Sequence, residues 1–146
     1  MAGAVRRSAL DPPPSTFDRS CMANILVVDD SPDNLKLVGT ILRLKGHTIR
    51  ELPDGTGLLA ALAELPPDLV LLDIQLPERD GFALLEDIRR SPTPTIRVVA
   101  LTAHAMSGDR DRALLAGFDG YITKPIDVRR FPEQVARALR GEIVTD

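Results

Sequence analysis

The sequence predicts an α/β fold: a five-stranded parallel sheet of order 2-1-3-4-5, doubly wound by helices. Three observations carry this. Short apolar runs alternate with stretches of helical spacing from about residue 24 to residue 140. The runs are apolar at consecutive positions, as strands covered on both faces are. Gly, Pro, Ser and Asp fall between them, where turns and caps belong. Strands that alternate with helices call for a parallel sheet, and right-handed crossovers restrict the strand order.

The elements follow in sequence. Residues 25–28 (Ile-Leu-Val-Val) read as a buried strand ending at Asp29-Asp30. Ser31 then offers an N-cap and Pro32 a first helical position. Leu35, Leu37, Val38, Ile41, Leu42 and Leu44 fit one helix face, and Gly46 stops it. Residues 47–52 predict a weaker second strand. Asp54 is expected to cap a Leu- and Ala-rich helix that ends before Pro66-Pro67. Residues 69–72 predict a third buried strand, which delivers Asp73 at its carboxyl end. A loop with Pro77 and Gly81 leads to a helix over 82–90. Strand four spans 96–101 and ends at Thr102, a helix spans 106–116, and strand five spans 118–123. Lys124-Pro125 follows, then a last helix over 128–140.

Residues 1–22 hold Pro12-Pro13-Pro14 without apolar periodicity and read as a flexible tail, with one domain over 23–146. Met22 is an alternative start of translation. The chain of 146 residues is 44 % hydrophobic and 27 % charged, enough for a packed core. Its net charge of −3 gives no reason to expect nucleic acid. The single cysteine, Cys21, allows no intrachain disulfide and fits a cytoplasmic setting. No apolar run approaches the roughly 20 residues that span a bilayer, so no membrane insertion is expected.

In a sheet of this order, ligands bind beyond the carboxyl ends of the strands. Asp29-Asp30, Asp73, Thr102 and Lys124 all fall there. Singly, each reads as a cap, a turn residue or a surface lysine. Together they converge on one place. Three clustered carboxylates raise one another's pKa unless a cation joins them, and Mg²⁺ takes such oxygen ligands. Asp30 and Asp73 would bind it directly, the Gln75 backbone carbonyl would add a ligand, and Asp29 would hold a metal-bound water or support the direct ligands. Phosphoryl transfer needs an oxygen nucleophile, a metal and donors around the equatorial oxygens. Asp73 supplies the first, and Lys124 and the Thr102 hydroxyl the last. No nucleotide-binding loop is present, so the donor brings its own phosphoryl group.

The stretches "ILVVDDSPDN", "PDLVLLDIQLPERDGF", "VVALTAHAM" and "AGFDGYITKPI" resemble the receiver domains of two-component response regulators, over about residues 24–140. The resemblance implies the flavodoxin-like receiver fold. It implies a phosphoacceptor Asp73 fed by a sensor histidine kinase or a histidine phosphotransfer protein, with docking around residues 34–38. It implies a Mg²⁺ site at Asp29, Asp30 and Asp73, and Thr102 and Lys124 as switch and phosphate contacts. It further implies a cis Lys124-Pro125 bond that aims the ammonium, and Tyr121 as an aromatic that turns inward when Thr102 moves. Gln75 and His104 are expected to tune acyl-phosphate lifetime. Chemistry beyond self-phosphorylation from a donor and self-dephosphorylation is not expected. No output domain follows residue 140, so output is expected through a partner protein on the face of helix four, strand five and helix five. The wording is closest to single-domain receivers of the cell-cycle and polar-differentiation type, with a module detached from a hybrid kinase as the alternative. A haloacid-dehalogenase-like phosphatase would want its nucleophile after the first strand and an Asp where Gln75 stands. A flavodoxin-like nucleotide carrier would want a phosphate-binding first turn.

Overall fold

A computed structural model describes residues 22–76, 80–92, 95–103 and 108–145 of the chain. The expected tail, apart from Met22, and the expected tuning residue His104 lie outside the described residues. Six strands, β1 (Asn24–Val28), β2 (Thr48–Leu52), β3 (Leu69–Asp73), β4 (Arg97–Thr102), β5 (Gly120–Thr123) and β6 (Val144–Thr145), form one sheet. Its order is β2-β1-β3-β4-β5-β6, and every pair is parallel. The helices are α1 (Pro32–Leu44), α2 (Leu58–Glu64), α3 (Gly81–Arg89), α4 (Asp109–Ala116) and α5 (Phe131–Leu139).

The apolar runs of β1 and β3 divide residue by residue between two cores, because side chains alternate across a strand. Ile25, Val27, Leu69 and Leu71 pack with Val38 and Leu42 of α1 and with Phe131 and Val135 of α5. Leu26, Val28, Val70 and Leu72 pack with Leu58 and Leu62 of α2, Leu85 and Ile88 of α3, and Phe118. Each fully enclosed Leu or Ile is worth about 1.5–3 kcal/mol. The hydrophobic layers therefore hold the sheet, and its polar carboxyl end need not contribute.

The first five strands take the expected order. The sixth was not expected. After α5 the chain turns at Gly141 (φ 94°), where Gly141 N–H donates to Ala138 O and Glu142 N–H to Arg137 O, each at 3.0 Å. The reversed chain lays Val144 beside Gly120 and Thr145 beside Tyr121. Gly120 makes this approach possible, since a Cβ there would stand 3.0 Å from the Val144 carbonyl oxygen.

Three of the boundaries that differ from expectation have a visible cause. Asp54 does not cap α2: its Oδ1 accepts from Thr56 N at 2.8 Å in a turn, and the helix begins at Leu58. Asp127 likewise accepts from Arg129 N at 2.9 Å, which delays α5 to Phe131. Short polar side chains that bond the backbone two residues on favour turns over helix. Strand five begins at Gly120, two residues later than predicted, because Asp119 holds a Val98 N–H with its side chain instead.

Candidate functional site

Register brings the site together. Val28 lies beside Leu72, so the next residues, Asp29 and Asp73, emerge side by side. Thr102 lies beside Thr123, so Lys124 follows within reach of both. Lys124 N–H donates to Thr102 O at 2.7 Å, which fixes the backbone from which the side chain departs. The Lys124-Pro125 bond is cis, as the resemblance implied. Beyond Asp73, Gly81 admits the returning chain: a Cβ there would stand 2.7 Å from Ile74 Cα. Asp80 then starts α3 by accepting from Ala83 N at 2.9 Å.

Lys124 Nζ bridges the two enclosed acids, at 2.9 Å from Asp29 Oδ2 and 3.1 Å from Asp73 Oδ2. Asp29 is 0 % exposed and Asp73 2 %, while Asp30 is exposed at the mouth. Asp73 Oδ1 accepts from Gln75 N at 2.8 Å. Asp29 Oδ1 accepts from Ser31 N at 2.9 Å, and its Oδ2 accepts from the Asn34 side-chain amide. Burial lifts the Asp73 carboxyl above its usual range, and the Asp29 charge adds to this; the Gln75 N–H and Lys124 oppose it. Burial works against the Lys124 charge too. Asp29 and Asp73 together outweigh it and hold the ammonium above its ordinary pKa.

Carboxylate oxygens of Asp29, Asp30 and Asp73 lie within 4.8 Å of one another. This is an all-oxygen donor set with three negative charges against one lysine, and it suits a hard divalent cation. Lys124 occupies part of that demand, since it contacts two of the three acids.

Buried Thr102 lines a cleft of about 220 Å³ with Gln75, Ile74, Phe82, Asp109, Arg112 and Tyr121. The Tyr121 ring is buried at 3 % exposure, and burial with the nearby Asp109 charge raises its phenol pKa. The Phe82 ring meets Phe118 edge-on at 5.5 Å and carries Arg112 at 4.3 Å from its centroid. The cleft wall thus joins α3 to α4.

The structure brings Asp29, Asp30, Asp73 and Lys124 together, and sets Thr102, Gln75 and Tyr121 beside them. Asn34 was expected on the partner-docking stretch of α1 and not inside the site. The signal for it was present. Ser31 is the N-cap and accepts from Asn34 N at 3.2 Å, so Asn34 is the third helical residue. Helical side chains tilt toward the N-terminus, which here means toward Asp29.

A doubly wound parallel sheet with paired acids, a central Asp, Thr and Lys at its carboxyl edge defines a phosphoacceptor signalling module. The family model described as "Response regulator receiver domain" matches residues 25–136, and the chain belongs to that family. It is 37 % identical over 146 residues to the sensor histidine kinase GacS of Pseudomonas protegens, covering 94 % of this chain and 16 % of that protein. It is 40 % identical over 105 residues to an uncharacterized 14.6 kDa protein of Leptolyngbya boryana, covering 71 % of this chain and 80 % of that one. Among solved structures, the signal receiver domain of a Syntrophus aciditrophicus signal transduction histidine kinase superposes with a TM-score of 0.72 at 33 % identity, covering 82 % of this chain and 91 % of that one. The chain thus spans less than one fifth of the length of GacS.

Proposed function

We propose that Asp73 accepts a phosphoryl group from a phosphohistidine and that a partner protein reads the change. The observation that carries this is the Lys124 bridge to both Asp29 and Asp73 at the edge where β1, β3 and β5 end. An Asp73 oxygen attacks phosphorus while the nitrogen–phosphorus bond of the donor breaks. The electron pair stays on the imidazole, which then takes a proton. Lys124 faces the phosphoryl oxygens, and the Thr102 hydroxyl donates to one of them. A Mg²⁺ ion held by Asp29, Asp30, Asp73 and the Gln75 carbonyl would neutralise charge on those oxygens.

The histidine donor is a sensor kinase or a phosphotransfer protein docking near residues 34–38, in the cytoplasm. No helix of the described residues is long and apolar enough to cross a membrane. The signal leaves by a shift in population between two packings of Thr102 and Tyr121, read on the face of α4, β5 and α5. Gln75 and His104 set the lifetime of the acyl phosphate. We read the wording of the chain's motifs as most like receivers of the cell-cycle and polar-differentiation type, with a receiver module of a hybrid kinase as the alternative.

The test is labelling with acetyl phosphate and Mg²⁺, comparing wild type with Asp73→Asn. Acid-stable but base-labile incorporation in wild type alone is expected. Equal label on the variant would remove Asp73 from this role.

A further inference from the structure

The carboxylate of Asp29 raises a question that its role at the cation site leaves open. It is fully enclosed and accepts three hydrogen bonds: from Ser31 N at 2.9 Å, from Lys124 Nζ at 2.9 Å and from Asn34 Nδ2 at 2.5 Å. Lys124 is not dedicated to it, since the same ammonium reaches Asp73 Oδ2 at 3.1 Å. A phosphoryl group on Asp73 presents new anionic oxygens, and Lys124 is the cation placed to meet them. Asp29 then depends on what remains. An enclosed carboxylate that loses a hydrogen-bond partner is free to rotate, and rotation degrades it as a cation ligand.

The two other donors both come from the start of α1. Ser31 caps the helix, its Oγ accepting from Asn34 N at 3.2 Å and its carbonyl from Leu35 N at 3.0 Å. Pro32 presets the first helical position. Asn34 is thereby fixed in the first turn, half-buried, with its side chain directed at Asp29. Amide chemistry suits the task. A neutral donor bonds the carboxylate without the positive charge that would compete with, or repel, a divalent cation. A lysine there would neutralise the acid, and an aspartate would add a fourth charge. Groups that orient metal-binding side chains from behind commonly change affinity by about 10–100-fold when removed.

We propose that Asn34 is a positioning residue: its amide holds the Asp29 carboxylate in cation-binding orientation while Lys124 transfers to the phosphoryl group. This rests on the reading of Asp29 as part of the cation site. It also places a site determinant on the surface turn that a phosphohistidine partner would approach, so docking there would bear directly on the cation site.

The experiment compares wild type, Asn34→Leu and Arg89→Ala by Mg²⁺ titration calorimetry and by thermal melting without divalent ions. Arg89 lies at the opposite end of the sheet and serves as a destabilised control. Asn34→Leu keeps side-chain volume and removes the donor. The expected result is Mg²⁺ binding weakened about 10-fold or more in Asn34→Leu and unchanged within twofold in Arg89→Ala, whatever their melting temperatures. In wild type, the Asn34 side-chain amide resonances should stay shifted and protected when Mg²⁺ and beryllofluoride are added. Mg²⁺ affinity of Asn34→Leu within twofold of wild type would overturn the proposal, as would release of the amide on adding beryllofluoride. The underlying cation-site reading fails separately, if wild type and Asp29→Asn show the same Mg²⁺ titration.

Discussion

The two ends of the sheet use the same residue types to opposite effect. At the amino end, each acid meets dedicated donors. Asp68 accepts from Asn24 N at 2.9 Å, and Asp119 accepts from Val98 N at 2.9 Å and from Arg89 at 3.0 Å. Arg89 also donates to Ile96 O at 2.6 Å and Gly117 O at 2.8 Å, tying α3 to the starts of β4 and β5. At the carboxyl end, three acids cluster around one lysine that contacts two of them, and burial already pushes the Asp73 carboxyl toward protonation. Charge is balanced where only structure is needed. It is left in excess at the edge where the proposed cation and phosphoryl group would be handled.

Removing the shared cation should break this contrast most strongly. Lys124→Met leaves two enclosed carboxylates facing each other and is expected to cost about 3 kcal/mol or more in urea unfolding without divalent ions. Millimolar Mg²⁺ should recover much of that loss, because the ion binds only the folded state. If Mg²⁺ gives no more protection than in wild type, the acids are not a charge-excess site. Arg89→Ala is the counterpart at the other end. It leaves Asp119 with one fewer donor and two carbonyls without theirs, at about 2 kcal/mol, and Mg²⁺ should not restore it. A Mg²⁺-dependent rescue of Arg89→Ala would erase the distinction.

The smallest effect concerns His47, at the amino end beside β1. Its Nδ1 accepts from Ala23 N at 3.0 Å, so the ring is neutral there, and burial lowers its pKa. The folded value therefore lies below the ordinary one of about 6.5, and the unfolded chain binds the proton more readily. Stability from this contact is complete above about pH 6.5 and is lost as pH falls below it. His47→Gln should flatten that part of a melting-temperature profile between pH 7 and pH 5. A profile with unchanged slope would show that the loss arises elsewhere.

How much of this was legible follows from where the determining contacts lie along the chain. β1 and β3 announced themselves because two covered faces demand four consecutive apolar residues. Asp29, Asp30, Asp73, Thr102 and Lys124 were legible because strand ends in such a sheet are forced to one edge. Val144-Thr145 carried no periodicity at all; their pairing depends on Gly120, more than twenty residues away, having no side chain. The start of α2 was misplaced because Asp54 looks like a cap in sequence, and that of α5 because the turn closed by Asp127 has no apolar signature of its own. Whether such a residue caps a helix or closes a turn depends on the path of the chain after it. Asn34 was placed correctly on α1, but its amide contact with Asp29 needed the helix start in three dimensions.

The sixth strand has a practical consequence for anyone building sensors or fusions from this domain. A dye on Thr145 would sit in register with Tyr121 and would report on the fifth strand from one hydrogen-bonded step away. Anything bulky joined at that point would load the same strand and bias what it was meant to observe. Met22, exposed and at the opposite end of the sheet, is the attachment point that leaves the readout undisturbed.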